Sequence, residues 1–133
     1  MYLLDTNICA YLMRGRYLSL NTKILTIPAS DLAISSITLF ELEFGAAKAN
    51  WGPRRLEDMR LFLSAFQVIP FTEYDAVVTG RIRAVLVKEG LPIGSYDIQI
   101  AGQGVARNIT VVTHNTSEFS RVPGIRLEDW TEE

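Results

Sequence analysis

Short apolar runs alternate with segments of helical period along most of this chain, and that alternation leaves few folds open to it. The apolar runs are "MYLL" (1–4), "DLAISS" (31–36), "QVIPF" (67–71), "ITVVT" (109–113) and the weaker "IRLEDW" (125–130). Between them, "TNICAYLMR" (6–14) carries apolar residues at 8, 11 and 12 behind a capping candidate at Thr6 or Asn7. "ITLFELEFGAAKA" (37–49) is a second helix, ending near Asn50-Trp51-Gly52. "PRRLEDMRLFLSAF" (53–66) opens with proline at a permitted first-turn position and repeats apolar residues at 56, 59, 63 and 66. "EYDAVVTGRIRAVLVKEG" (73–90), closed by Gly90, and "SYDIQIAGQGVARN" (95–108) are two more. Strands that alternate with helices pair in parallel and are covered on both faces, which predicts an α/β three-layer sandwich.

The 133 residues suffice for one domain with a single sizeable core, and no repeat or low-complexity stretch divides them. No apolar run reaches the length of a membrane span, because "LAISSITLFELEFG" already holds Ser35, Ser36 and Glu41. No positive stretch precedes the first apolar residues, so the start does not read as a secretory signal. One cysteine, Cys9, excludes an internal disulfide and suits a reducing cytoplasm. A net charge of −2 provides no general field for nucleic acid or anionic membrane, so a polyanion would need local arginines or a bound cation.

In an open parallel sheet, sites form outside the carboxyl ends of the strands, near a reversal of strand order. Asp5 ends the first strand, Glu41 lies early in the helix after the second, Asp97 opens a helix on the same rim, and Glu118 follows "ITVVT" through "HNTS". Glu41 shares a stripe with Ile37, Phe40 and Phe44, the spacing of one buried face, whereas Glu43 falls off it as a solvated acid. Asp97 shares a face with Ile100, Ala101, Gly104 and Val105, small enough to bring that helix close to the sheet. A carboxylate on an apolar face is costly unless paired or bound to a metal. Oxygen ligands suit Mg²⁺ or Mn²⁺, and one cysteine with one histidine makes a poor zinc site.

Each acid also has a plainer reading. Asp5 can cap its helix, Asp97 can complement a helix dipole, and Glu118 can be a solvated loop residue. Cys9 reads as a small buried apolar residue and His114 as a polar loop residue. Arg54, Arg55, Arg81 and Arg83 read as solvated helix faces, with contact to phosphates or an acidic partner as the alternative. "GQG" (102–104) lies inside a helix and lacks the third glycine of a dinucleotide fingerprint. A phospho-receiver module would need an acidic pair after the first strand and a lysine after a late one; Thr6-Asn7 and His114-Asn115 stand there instead.

Together, "LLDTNICAYL", "SSITLFELEFGA", "PIGSYDIQIAG" and "VVTHNTSEFSRVPGIRLEDW" resemble the successive motifs of the PIN-domain ribonucleases, specifically the VapC toxins of type II toxin–antitoxin modules. The resemblance spans essentially the whole chain, the middle helices matching in pattern only. It implies a five-stranded, mostly parallel sheet and maps Asp5, Glu41 and Asp97 onto the family's acidic triad, with Glu118 at its more variable fourth position. His114 departs from it, since "TNN" is expected where "THN" stands.

On that basis Asp5 and Asp97 are the expected metal ligands, for Mg²⁺ or alternatively Mn²⁺. Glu41 and Glu118 are expected to hold or orient water, with Thr6, Asn7, Thr113 and Asn115 as supporting polar groups. The implied activity is endonucleolytic hydrolysis of a structured RNA such as a tRNA or ribosomal RNA loop, flanking phosphates meeting Arg14, Arg81 or Arg83. The implied partners are a VapB-type antitoxin lying over the active site and a second copy of the chain, as a dimer or dimer of dimers. A PIN nuclease of RNA or DNA processing, without an antitoxin, is the alternative.

Overall fold

The computed structural model describes residues 1–132. Its five strands are β1 (Tyr2–Leu4), β2 (Leu32–Ser35), β3 (Gln67–Ile69), β4 (Thr110–Val112) and β5 (Arg126–Glu128). Seven helices join them: α1 (Thr6–Arg14), α2 (Leu18–Ile24), α3 (Ser36–Lys48), α4 (Pro53–Leu63), α5 (Glu73–Lys88), α6 (Ser95–Arg107) and α7 (Thr116–Phe119). All four strand pairings are parallel, in the order β3-β2-β1-β4-β5. The chain builds outward from β1 through β2 to β3, then returns to place β4 on the other side of β1. That reversal opens a crevice between the carboxyl ends of β1 and β4.

Strand alternation sends successive residues to opposite faces. Leu4, Ile34 and Val112 face α1, α2 and α4, where they meet Ile8, Cys9, Leu20, Met59 and Leu63. Leu3, Ala33 and Val111 face α5 and α6, against Leu86, Ile98, Ile100 and Ala101. The register Leu3↔Ala33 and Leu3↔Val111 keeps each layer level across the sheet. Strands of three or four residues suffice because both faces are covered.

Two glycines set the packing of α6. A Cβ at Gly102 would run into the Thr79 hydroxyl and lie 3.0 Å from the Thr79 Cα on α5, and one at Gly104 would strike Val111 on β4. Alongside, Asp75 on α5 is buried and accepts from Thr72 N–H at 2.8 Å, Gln103 Nε2 at 3.3 Å and Arg107 Nη2 at 3.1 Å. Gln103 also donates to the carbonyls of Ile69 and Pro70, so the end of β3, the start of α5 and the end of α6 share one polar knot.

The sequence reading placed α1 residue for residue and missed α2 and the single turn α7. One correction concerns α3. Phe40 and Phe44 are 49% and 58% exposed, so the stripe that contains Glu41 is not a buried face. The buried positions of α3 are Thr38 and Ala46, with Leu39 and Leu42 partly covered, a face turned toward α1 and α4.

The packing predicts opposite results for one substitution at two helical glycines. Gly102→Ala lowers stability by about 1–3 kcal/mol through overpacking against Thr79. Gly80→Ala, at an exposed position of α5 with nothing within 4 Å of the new methyl, raises it by about 0.5–1 kcal/mol through helix propensity alone. Denaturant unfolding of the two variants reads both signs.

Candidate active site

Asp5 occupies the crevice between β1 and β4. Its backbone N–H donates to Val112 O at 3.0 Å, extending the β1–β4 ladder by one step. Its Oδ1 accepts from Ile8 N–H at 2.8 Å and so caps α1, while Oδ2 accepts from the Thr113 hydroxyl at 2.6 Å. The side chain is 2% exposed. Burial raises its pKa to about 6, the two hydrogen bonds opposing and the charges of Asp97 and Glu41 adding to the rise. The same carboxylate therefore caps α1 and lies within the fields of Asp97 and Glu41.

Two of the other acids, Glu41 and Glu118, are positioned by short polar side chains. Glu41 Oε1 accepts from the Thr6 hydroxyl at 2.7 Å, and Thr6 Oγ1 lies 3.1 Å from the buried Thr38 hydroxyl. The first residue of α1 thus aims an acid of α3. Glu118, on α7, accepts from the Asn115 amide at 2.6 Å, and Asn115 N–H donates to Thr113 Oγ1 at 3.0 Å. Thr113 therefore links the acid of β1 to the loop carrying Glu118. Asp97, in the first turn of α6, is half-buried, and its pKa is raised by desolvation first, then by the charges of Glu41 and Glu118.

The structure brings all four predicted acids into one electrostatic neighbourhood. They are coupled through their fields and do not share one coordination shell: among the described residues no three His, Cys, Asp or Glu stand close enough to hold one ion. Of the supporting polar residues, Thr6, Thr113 and Asn115 each orient an acid, while Asn7 is exposed and makes no side-chain hydrogen bond among the described residues. The donor set fits a hard divalent cation: carboxylates only, with the lone cysteine buried on the core face of α1. Raised pKa values at Asp5 and Asp97 mark charge that a cation would relieve. Glu43, off this site, forms a two-bond pair with Arg60 at 2.9 and 3.1 Å on the surface.

A groove of about 730 Å³ opens between α1, α3 and α4, walled by Leu12, Met13, Leu42, Met59 and Phe62 with Glu41 and Arg14 among its polar lining. Sequence reasoning missed this groove, and it missed the bond from His114 to Asp129, because Asp129 lies beyond β5 and no local pattern connects them. No helix among the described residues is long and apolar enough to cross a membrane.

The PIN domain family matches residues 2–125. The tRNA(fMet)-specific endonuclease VapC of Salmonella typhimurium is 40% identical over 129 residues, 97% of each chain. Ribonuclease VapC2 of Rickettsia felis is 37% identical over 131 residues, 98% of each. Among solved structures, the DNA-bound VapBC of Salmonella typhimurium superposes with a TM-score of 0.90 at 40% identity, over 97% of each chain. With identity of this order over nearly its full length and the same fold beneath it, the chain belongs to the PIN-domain family and, within it, to the VapC ribonucleases.

Proposed function

We propose that the chain is a Mg²⁺-dependent endoribonuclease that cuts a loop of a structured RNA, a tRNA first among them, and that a VapB-type antitoxin restrains it. The observation that carries this reading is the buried Asp5 at the strand-order reversal, ionising against its own desolvation and the charges of Asp97 and Glu41. The choice of tRNA follows the Salmonella relative, named for tRNA(fMet). The antitoxin follows the VapBC complexes among the structural neighbours, and the groove beside Glu41 offers an apolar segment a seat that ends in the site. Phe40, Phe44 and Tyr96 form an exposed aromatic patch, Phe40 lying 5.5 Å from Tyr96, which suits pairing with a second copy.

Asp5 and Asp97 would hold the cation, for which Mn²⁺ is a substitute. When bound, it supplies positive charge against the scissile phosphate and acidity for the attacking water. Glu41, fixed by Thr6, and Glu118, fixed by Asn115, orient that water and take its proton. Asp5 enters the reaction already aligned by Thr113 and Ile8 N–H, so no side-chain search precedes the chemistry.

Three outcomes test this reading. In EDTA, Asp5 makes the fold pH-sensitive in a definite direction. Below 3.8, the ordinary value of an aspartate, the carboxyl is protonated in both folded and unfolded chains and costs nothing. As pH rises toward about 6 the unfolded chain releases the proton first, so folding is penalised. The full penalty is about 3 kcal/mol above that range. Asp5→Asn, which keeps the oxygen that caps α1, is accordingly more stable than the parent at pH 7 and equal to it near pH 3. A stability difference that does not grow with pH would contradict the assigned burial cost.

Millimolar Mg²⁺ or Mn²⁺ raises the melting temperature of the parent and leaves that of Asp97→Asn unchanged, while RNA cleavage by the variant falls by orders of magnitude. Glu43→Gln keeps its activity and alters stability by less than about 1 kcal/mol, as expected for an exposed pair. Finally, expression in bacteria followed by transcriptome-wide mapping of new RNA 5′ ends yields a few dominant sites in structured loops, absent with Asp5→Asn. Cuts scattered through every messenger would overturn the selectivity.

A further inference from the structure

The rim has a second half, beyond β4, that the four acids leave unused. There His114 is exposed, its Nδ1 3.0 Å from Asp129 Oδ2 and 2.8 Å from the Thr131 hydroxyl. Asp129 is held in turn by Thr131, whose N–H and hydroxyl donate to Oδ1 at 2.9 and 2.6 Å. Burial opposes ionisation of Asp129, yet the Thr131 bonds and His114 hold its carboxyl below the usual value. An ionised carboxylate accepts only, so it attracts the Nδ1 proton and fixes the ring. Nε2 has no hydrogen-bond partner among the described residues.

Two tyrosines from α1 and the turn after it gather on this ring, and an arginine lies over both of them. Tyr17 lies 5.6 Å from His114 between centroids, tilted by 44°, and Tyr11 lies 6.3 Å away at 75°. The Arg16 guanidinium carbon is 5.6 Å from the centres of both tyrosine rings. Arg16 is exposed and pairs with no carboxylate among the described residues. A fixed imidazole, a tyrosine face and an unpaired planar cation are the parts from which proteins build stacking sites for unpaired bases. The location completes the case, because His114 directly follows Thr113, whose hydroxyl is bonded to Asp5.

We propose that His114, Tyr17 and Arg16 form a stacking site for an unpaired base flanking the scissile phosphate, a reading that rests on the ribonuclease activity proposed above. Arg16 adds a positive charge for that nucleotide's phosphate, where the neighbouring acids would otherwise repel it. Tyr11 and Tyr17 also pack against the core, so Tyr11 supports the site from below. The site selects loops over duplexes, since a paired base has no free face to offer.

The test uses tRNA(fMet), the RNA in the Salmonella relative's name, as cleavage substrate and fluorescent oligoadenylate as binding probe. His114→Ala and Arg16→Ala each raise KM about tenfold with little change in kcat, while His114→Phe, which keeps a ring, recovers most of the loss. Removing the base beside the cut from the substrate costs the parent a similar factor and costs His114→Ala nothing further. In the catalytically silenced Asp97→Asn protein, the same alanine changes weaken oligoadenylate binding by a like amount. That binding arm is independent of cleavage: if the parent cuts no RNA the activity reading fails, yet binding still decides the stacking site. Unchanged KM and oligoadenylate affinity in the alanine variants would overturn the proposal. So would variants that lose only the affinity for a co-expressed VapB-type partner, which would mark a protein-docking face instead.

Discussion

The reversal of strand order at β1 is the constraint on which the rest of this structure depends. It places a strand end where no helix can close over it, between β1 and β4, and Asp5 fills that position. One carboxylate there performs three duties: it continues the ladder through its N–H, caps α1 through Oδ1, and ties β1 to the loop after β4 through Oδ2. Glu41 and Glu118 reach the same crevice because parallel strands deliver the turns after β2 and β4 to one rim, and Asp97 joins them from the first turn of α6, which follows α5. Threonine and asparagine side chains then fix the directions of Asp5, Glu41 and Glu118.

Much of this was legible in the residues. The span of α1 reads correctly from its residues, but Thr6 or Asn7 reads first as its cap; Asp5 caps it instead, and Gly15 ends it in the left-handed conformation. Asp5, Glu41, Asp97 and Glu118 could be placed on one rim because the topology fixes where strand ends lie, independent of side-chain detail. The misreading of α3 shows the limit of periodicity. Ile37, Phe40, Glu41 and Phe44 do share a stripe, but spacing states which residues lie together and is silent on which neighbour covers them. The neighbours α1 and α4 cover the adjacent face, and two phenylalanines stay outside. α2 escaped notice because "LSLNTKI" has two turns and mixes polar with apolar residues. The tie between His114 and Asp129 spans fifteen residues and a strand, beyond any local signal.

The electrostatics of the crevice and the composition of the chain are two sides of one solution. A protein with net charge −2 cannot attract RNA at a distance, and its acids repel phosphate nearby. Recognition would then rest on contacts that act at short range, of the kind proposed above for a cation, for Arg16 and for the His114 ring. Such contacts discriminate between RNA shapes, whereas a diffuse positive field would bind them all.

The double use of Asp5 as helix cap and as ionised rim carboxylate carries an evolutionary consequence. A substitution that removes a charge from a rim need not cost the fold anything. Here the neutral amide preserves the cap oxygen and removes the charge that burial resists. A single-nucleotide change, Asp to Asn, would thus leave a well-folded chain without the rim charge. On the terms of the fold alone, the aspartate is the less stable choice at this position above the acid range.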